Sequence, residues 1–492
     1  MPVPPPPAPL PGAPLPVPPP RALVPVLLFL STCVAVISSL GAPLVPAIAA
    51  ETGSSLPQAQ WSLTVTLVVG AVATPVVGRL GDGPHRRPVV LTVLSLVVLG
   101  GLLAALPLGL GWLIVGRGLQ GFGLALTPLA IATARDALSG GRAQATAAAL
   151  SITVAAGLGL GYPVTGVIAE LGGVHAAFWF GAAVTAVALA AAAVVFPPSP
   201  PRPAVRLDAV GGLLLGVGVA CGLLVLSEGE SQGWSNPWLI AMLAVAVASL
   251  VGWVFWELRR PAPLVDLHLA RGRTAAVAHT GALLIGLANY LFLASVTFLA
   301  QTPRSSGYGF GASVVVSGLV LVPFSLGSLL AGRLARALTD RGAGRLVLPG
   351  SALVVAAGLA LFGATRSQLW ELFVIAGITG LGVGGAFSAF PGLITSTVPP
   401  TETGSAMSLN QVLRYVGFAT GSALTATLLE AATPAGGDVP GAGGYTVVAL
   451  LGSAVALVTA VLTGVLMRGG GATAPVAAPG AARTSVPRVT QR

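Results

Sequence analysis

Charge is scarce along this chain, so the places where it gathers are the places where chemistry is possible. The stretch GRLGDGPHRRP, Gly78 to Pro88, holds three arginines, one aspartate and one histidine between two long apolar runs. An aspartate there can pair with an arginine or sit against the positive N-terminal end of a helix. A bare topology anchor would need neither Gly78 nor Asp82. A weaker copy, GRLARALTDRGAGR, runs from Gly332 to Arg345. Two further arginines, Arg117 in LIVGRGLQGFG and Arg414 in SLNQVLRYVGFATGSAL, stand alone in apolar surroundings. Charge at membrane depth is expensive and marks a functional position by default. Asn410, Arg414 and Gly417 fall at i, i+4 and i+7, one helix face, with Gln411 and Gly421 beside them.

The elements that must position these residues are membrane spans. The 492 residues are 54% hydrophobic and 8% charged, where a soluble domain carries about a quarter charged residues. The apolar residues come in blocks near the roughly 20 needed to cross a bilayer core. Fourteen spans are expected, near 23–49, 61–78, 89–108, 111–134, 144–168, 176–196, 209–227, 238–256, 274–300, 312–332, 345–363, 370–397, 404–429 and 444–467. With a cytoplasmic N-terminus, twenty of the twenty-four arginines fall on the inner side, and only Arg304 and Arg366 fall outside. That is the positive-inside bias, and it sets both termini in the cytoplasm. It also accounts for the formal charge of +10 without nucleic-acid binding. The absence of lysine, with abundant Ala, Gly and Pro, points to GC-rich bacterial coding. Cys33 and Cys221 fall inside spans and read as apolar fillers, with no metal site and no disulfide framework.

Both charged stretches follow the second span of a six-span group. The chain therefore reads as a parallel internal repeat with two spans inserted between the copies. The expected organisation is a disordered proline-rich cytoplasmic leader over 1–21, a first six-helix bundle over 22–196, a linker with two inserted helices over 197–260, a second six-helix bundle over 261–467, and a disordered cytoplasmic tail over 468–492. Twelve of the first twenty residues are proline, which suits an extended or unstructured leader rather than a signal peptide.

Three segments resemble signatures of the major facilitator superfamily, and the fourteen-span layout resembles its drug:proton antiporter branch, over about residues 22 to 467. The loop signature matches at Gly78, Asp82, Arg86 and Arg87 and departs at Gly83 and His85. The resemblance implies an all-α major facilitator fold of two six-helix bundles plus two inserted helices. In it, Asp82 faces the start of span thirteen and Arg86 pairs with Asp136 at the inner end of span four, contacts made when the inner gate is closed. The fourth-span signature matches at Arg117, Gln120, Gly121 and Gly123 and implies that Arg117 and Gln120 take part in proton coupling; a hub for neighbouring carbonyls is the alternative. The fifth-span antiporter signature, AAGLGLGYPVTG, matches through Gly157, Gly161, Pro163 and Gly166. It implies an exporter with a sealed seam between the halves, although Tyr162 departs from the usual small residue.

No Asp or Glu lies deep in any expected span. A lipophilic cation wants a buried negative charge to offset its lost hydration. Quaternary ammonium dyes are therefore expected to be poor substrates, and neutral or weakly acidic amphiphiles better ones. The proton carrier stays open among the gate acids, Glu170, Glu430 and His279, the last of which titrates near neutrality when unperturbed. Arg414 either pairs with an acidic substrate group or braces its helix. Asn289, Tyr290, Phe292, Phe387, Phe390, Asn410 and Arg414 are candidate lining of a substrate cavity.

The function expected is secondary active export of a small amphiphilic molecule (drug, antibiotic or secondary metabolite) across the plasma membrane in exchange for protons, by a monomer without cofactors. An importer or uniporter of a small nutrient with the same fold is the alternative. A receptor or scaffold built on the leader would have no use for a buried Arg117. A membrane-embedded enzyme is disfavoured, because the spans carry no His/Asp/Glu cluster and no GxxxxGK[ST] loop.

Overall fold

The computed structural model describes residues 21–40, 44–54, 56–199, 203, 208–260, 263–264, 267, 272–399, 402–434 and 439–468. The expected leader, apart from Arg21, and the tail beyond Arg468 lie outside the described residues, as do Arg202, Arg206 and Arg271 and the side chain of Glu430. Among the described residues the regular structure is entirely helical. The first lobe comprises α1 (Leu23–Ser39), α2 (Val45–Thr52), α3 (Leu56–Asp82), α4 (Arg86–Ala105), α5 (Leu110–Gly121), α6 (Leu126–Ala137) and α7 (Gly140–Val195). Two inserted helices follow, α8 (Ala209–Gln232) and α9 (Pro237–Glu257). The second lobe comprises α10 (Arg273–Gln301), α11 (Val314–Val320), α12 (Val322–Asp340), α13 (Val347–Ala364), α14 (Leu369–Thr395), α15 (Thr403–Ala431) and α16 (Ala442–Arg468). Eleven helical stretches among the described residues are long and apolar enough to cross a membrane, and Leu23–Ser39 and Ala209–Gly222 are shorter apolar helices.

The helices end later than hydropathy predicts. The charged stretch after the second span is not a loop: α3 runs through Arg79 to Asp82, only residues 83–85 form the turn, and α4 begins at Arg86. A charged residue ends a hydropathy window but not a helix, because its backbone still bonds within the helix while its head group reaches partners at the membrane edge. The stretch expected as one span over 23–49 is two helices, α1 and α2. Spans five and six join into α7, broken at Gly173, whose φ of 79° needs glycine. Span four is interrupted by a 3₁₀ turn at Phe122–Ala125, and span ten by the break at Leu321 ahead of Pro323.

The helix pairings repeat. In the first lobe α1 packs on α7, α3 on α5, and α4 on both α5 and α7. In the second, α10 packs on α15, α12 on α14, and α13 on both α14 and α16. Even the crossings between lobes correspond, α3 with α15 and α12 with α7. Lipid gives apolar helices no reason to prefer each other, so close approach through small residues does the work. A Cβ at Gly116 would lie 2.8 Å from Ala104 N, one at Gly417 2.9 Å from Leu287 N, and one at Gly384 2.5 Å from Ser328 O.

The insert lies against the seam. Gly212 and Gly216 of α8 face Val76 and Val72 of α3, while Leu215 and Val219 share an apolar cluster with Leu409 and Val412 of α15. α9 packs on α8 and turns most of its remaining surface outward. The pair is fastened at one end by an indole donor, Trp256 Nε1 to Asp208 Oδ2 (2.8 Å), while Trp253 Nε1 bonds Glu257 Oε1 (2.8 Å) within α9.

Gly384→Ala puts a methyl group into the backbone of α12 and is expected to cost about 1–3 kcal/mol, the usual size of an overpacking defect. Gly350→Ala enters open space and should be neutral or mildly stabilising. Apparent Tm in detergent, measured for the two single variants, checks this.

Candidate functional site

At the arginine-rich end, α3 meets the first turn of α15. Asp82, buried at the last position of α3, accepts a hydrogen bond from the Gly404 N–H at 2.7 Å. The carboxylate lies where unsatisfied N–H groups and the helix dipole both favour an anion. Glycines make the approach possible: a Cβ at Gly404 would lie 2.6 Å from Asp82 Oδ1 and 2.8 Å from Gly78 O, and one at Gly78 would strike Ser408 Oγ.

A second contact across the seam comes from Arg135, a residue that sequence reading treats only as a cytoplasmic positive charge. Its Nη1 donates to Thr403 Oγ1 (2.6 Å) and its Nη2 to the carbonyls of Thr395 (2.7 Å) and Val398 (2.9 Å). One guanidinium of α6 thus grips the end of α14 and the start of α15. Arg79 adds an ion pair with Glu402 at 3.8 Å, partly solvated and worth at most about 1 kcal/mol. Adjacency to Asp136 is the signal that could have found Arg135: neighbours on a helix point about 100° apart, so when one faces its own lobe the other faces away.

Arg86 and Asp136 do pair, but within the first lobe. Arg86 bonds Asp136 of α6 through Nη1 and the Gly81 carbonyl of α3 through Nε (2.6 Å), tying α4 to both neighbours. Arg87 is not at the seam. It donates from Nη2 to Ala193 O (2.7 Å) near the end of α7, and its backbone N–H reaches Ser199 Oγ (3.0 Å). In the second charged copy Asp340 is exposed, and the matching crossing of α12 with α7 is apolar, Gly332 against Ile152. The latch is one-sided.

The fifth-span glycines divide by target. Gly157 and Gly161 face Ala35 and Ser39 of α1 in their own lobe. Pro163 and Gly166 face the second lobe, where a Cβ at Gly318 would lie 3.0 Å from Pro163 N and one at Gly166 would lie 3.7 Å from Val315.

Deeper in, the two buried arginines differ. Arg117 donates to Ser62 O (3.0 Å), Ile37 O (3.0 Å) and Gln120 Oε1 (2.8 Å), and its own carbonyl accepts from Thr66 Oγ1 (3.0 Å). Among the described residues it has no carboxylate partner within 4.0 Å, so its bonding is that of a carbonyl hub joining α1, α3 and α5. Arg414 bonds Gln411 Oε1 and lies 4.5 Å from the Phe387 ring centroid, within cation–π range. Around it Phe387, Phe390, Tyr290, Tyr415 and Phe418 form a chain of ring contacts at 5.0–6.4 Å. Tyr162 of α7 lies near both Tyr290 and Arg117. Asn289 is buried beside this cluster on α10.

Four expected residues go elsewhere. Phe292 is core of the second lobe, between Phe324 (6.4 Å) and Phe362 (6.0 Å). Asn410 donates to Ala278 O at 3.0 Å and bridges α15 to α10. His279 is buried on α10 with no partner for Nδ1 among the described residues, and Glu170 is exposed.

Two lobes of paired helices, joined at one end by a polar latch and enclosing buried charge, define a polytopic helical membrane protein of the transporter class rather than an enzyme. The family described as Major Facilitator Superfamily is matched over residues 27–256 and 278–489, and the chain belongs to that superfamily. It is 30% identical to the puromycin resistance protein of Streptomyces alboniger, over 86% of each chain. It is 28% identical to a multidrug resistance protein B homolog of Mycobacterium tuberculosis, over 77% of this chain and 71% of that one. An uncharacterized MFS-type transporter of M. tuberculosis is also 28% identical over 77% of this chain, which spans only 55% of that relative's length. Among solved structures, the human organic anion transporter MFSD10 superposes with a TM-score of 0.64 at 18% identity, covering 90% of this chain and all of that one, which speaks for the fold.

Removing the charge of Asp82 should loosen the first turn of α15. In Asp82→Asn, hydrogen exchange at residues 403–408 is expected to quicken by about tenfold or more, since a charge-assisted bond contributes about 1.5–3 kcal/mol. Asp340→Asn, on the exposed copy, should leave it unchanged. Exchange mass spectrometry of the full chain in detergent or nanodiscs measures both.

Proposed function

We propose that the chain is a secondary active exporter that expels a small amphiphilic molecule, of the drug, antibiotic or secondary-metabolite kind, across the plasma membrane in exchange for protons. It works by alternating access, two six-helix bundles rocking about a central site, with fourteen spans, both termini cytoplasmic and the latched end inside. The observation that carries the reading is the latch itself. Asp82 on Gly404, Arg135 on α14 and α15, and Arg79 on Glu402 join the lobes at one end through directed hydrogen bonds and an ion pair, added to the apolar contacts that also span the seam. A handful of such bonds amounts to several kcal/mol, the scale needed to carry a two-state equilibrium from 1:99 to 99:1, about 5.5 kcal/mol.

Within that cycle Gly78, Asp82, Arg86, Arg87 and Asp136 form the gate region, with Arg135 added to them. Arg86 and Arg87 act by holding α4 to its own lobe, so that the latch residues move as one body. Arg117 and Gln120, with Tyr162 beyond them, and His279 are the deep polar groups through which a proton from outside would reweight the latch. Pro163 and Gly166 seal the seam against α11. Tyr290, Phe387, Phe390, Asn289 and Arg414 form the substrate site. Relatives named for puromycin resistance and, in Streptomyces coelicolor, as a probable actinorhodin transporter support small-molecule export.

The test uses inverted membrane vesicles, in which export becomes uptake. Naphthalene carboxylate, an aromatic weak acid that an acidic lumen does not trap passively, should accumulate when a proton gradient is imposed, and a protonophore should abolish the accumulation. Asp82→Asn should insert normally and transport at least about tenfold more slowly, a barrier or population change of about 1.4 kcal/mol. Ethidium should be a poor substrate. Uptake indifferent to both pH difference and voltage overturns the coupling, and robust ethidium export overturns the substrate preference.

A further inference from the structure

Of the two buried arginines, Arg117 spends its donors on carbonyls and an amide of its own lobe. Arg414 does not. Its Nε has no hydrogen-bond partner among the described residues, although the side chain is only 2% exposed. The same is true of Gln411 Nε2, whose oxygen is already taken by Arg414, and of the Tyr415 hydroxyl, which faces the Gln411 amide without completing a bond. These are three donors on two consecutive turns of α15. On facing α10, Asn289 Oδ1 is a buried acceptor in the same condition. Gly286, one turn before Asn289, brings the two helices together: a Cβ there would lie 2.8 Å from Arg414 O and 3.4 Å from Phe418.

Leaving such a group unpaired in the interior is costly, and more so for a charge. Single buried hydroxyls and His279 Nδ1 are also without a partner among the described residues, but here a cation, two further donors on the same two turns and an acceptor on the facing helix come together, and that set calls for a ligand. Its chemistry is set by the set of atoms: three donors, one of them cationic, and one acceptor, beside the aromatic faces of Phe387, Phe418 and Tyr290. Among the described residues no carboxylate lies within 4.0 Å of Arg414, so the counter-charge must arrive from outside the chain.

We propose that this cluster binds the ionised acid group of an aromatic substrate, a carboxylate or acidic phenol, with Arg414, Gln411 and Tyr415 donating to the acid oxygens and Asn289 accepting from a hydroxyl or amide of the same molecule. The inference rests on the reading of the chain as an exporter of amphiphilic molecules and narrows its cargo to aromatic weak acids. Arg414 is the residue that reads the charge. The rings supply apolar area and stacking, and a charge-assisted pair in this water-poor setting is the strongest single contact the site can make.

The experiment compares two probes that differ in charge alone, naphthalene carboxylate and the matching naphthalene carboxamide, titrated calorimetrically into the full chain in nanodiscs at neutral pH. The carboxylate should bind at least about tenfold more tightly, which is about 1.4 kcal/mol. Tyr415→Phe should weaken the carboxylate severalfold and leave the carboxamide alone, and Arg414→Gln should abolish the difference while the carboxamide still binds. Where Arg414→Gln does not fold, the wild-type ratio and Tyr415→Phe decide. Equal affinity for the two probes, no binding of either, or a ratio that survives Arg414→Gln overturns the proposal and leaves the cluster to internal water. Binding needs no gradient, so the two readings fail separately. Charge discrimination without proton-driven efflux sinks the exporter alone, and proton-driven efflux without charge preference sinks this site alone.

Discussion

A charged or polar group inside a bilayer has no water to turn to, and nearly every distinctive feature of this protein is a way of meeting that constraint. Arg117 meets it with two carbonyls and a glutamine amide. The serines and threonines of the spans meet it by bonding the carbonyl one turn back, as Thr133 does to Leu129 and Thr425 to Gly421. Asp82 meets it at the start of another helix, whose own N–H groups would otherwise lack partners. That last solution reaches across the molecule, and it adds directed bonds to the apolar contacts between the lobes.

The same economy explains the glycines. Where α3 crosses α15, Gly78 and Gly404 let backbone meet backbone, so the carboxylate of Asp82 arrives within bonding range of an N–H that a larger side chain would cover. Arg86 and Arg87 then have a mechanical meaning. They leave the seam to others and bind α4 to α3, α6 and the end of α7, so that the helices of the first lobe are tied to one another. The latch residues Asp82 and Arg135 flank this brace on both sides.

Much of this was legible in the sequence, and the reasons for the rest are physical. Apolar blocks near 20 residues announce helices because lipid tolerates little else, and the charged stretch at 78–88 points to Asp82 and Asp136 through its resemblance to a known signature. The helix ends were not legible, because an arginine or aspartate at a membrane edge stops a hydropathy window while its backbone stays helical, as at Arg79 and Asp82. Nor was Arg135, since charge near a span end reads as topology until a partner is seen. Phe292 and Phe387 look alike in sequence; which one packs the core and which one meets Arg414 depends on helix rotation that only the neighbours fix. The break between α1 and α2 is marked by Gly41, Pro43 and Pro46, which a hydropathy window reads straight across.

The inserted helix α8 touches α3 through Val72 and Val76 and α15 through Leu409 and Val412. Those two helices face each other across the seam between the lobes. The closer of the two contacts is the one toward α3, where a Cβ at Gly216 would lie 2.9 Å from Val72, so the glycines of α8 act as sockets for the valines of the first lobe. The extra pair is therefore keyed to the first lobe while its apolar face also covers α15, a buttress laid along the outside of the joint.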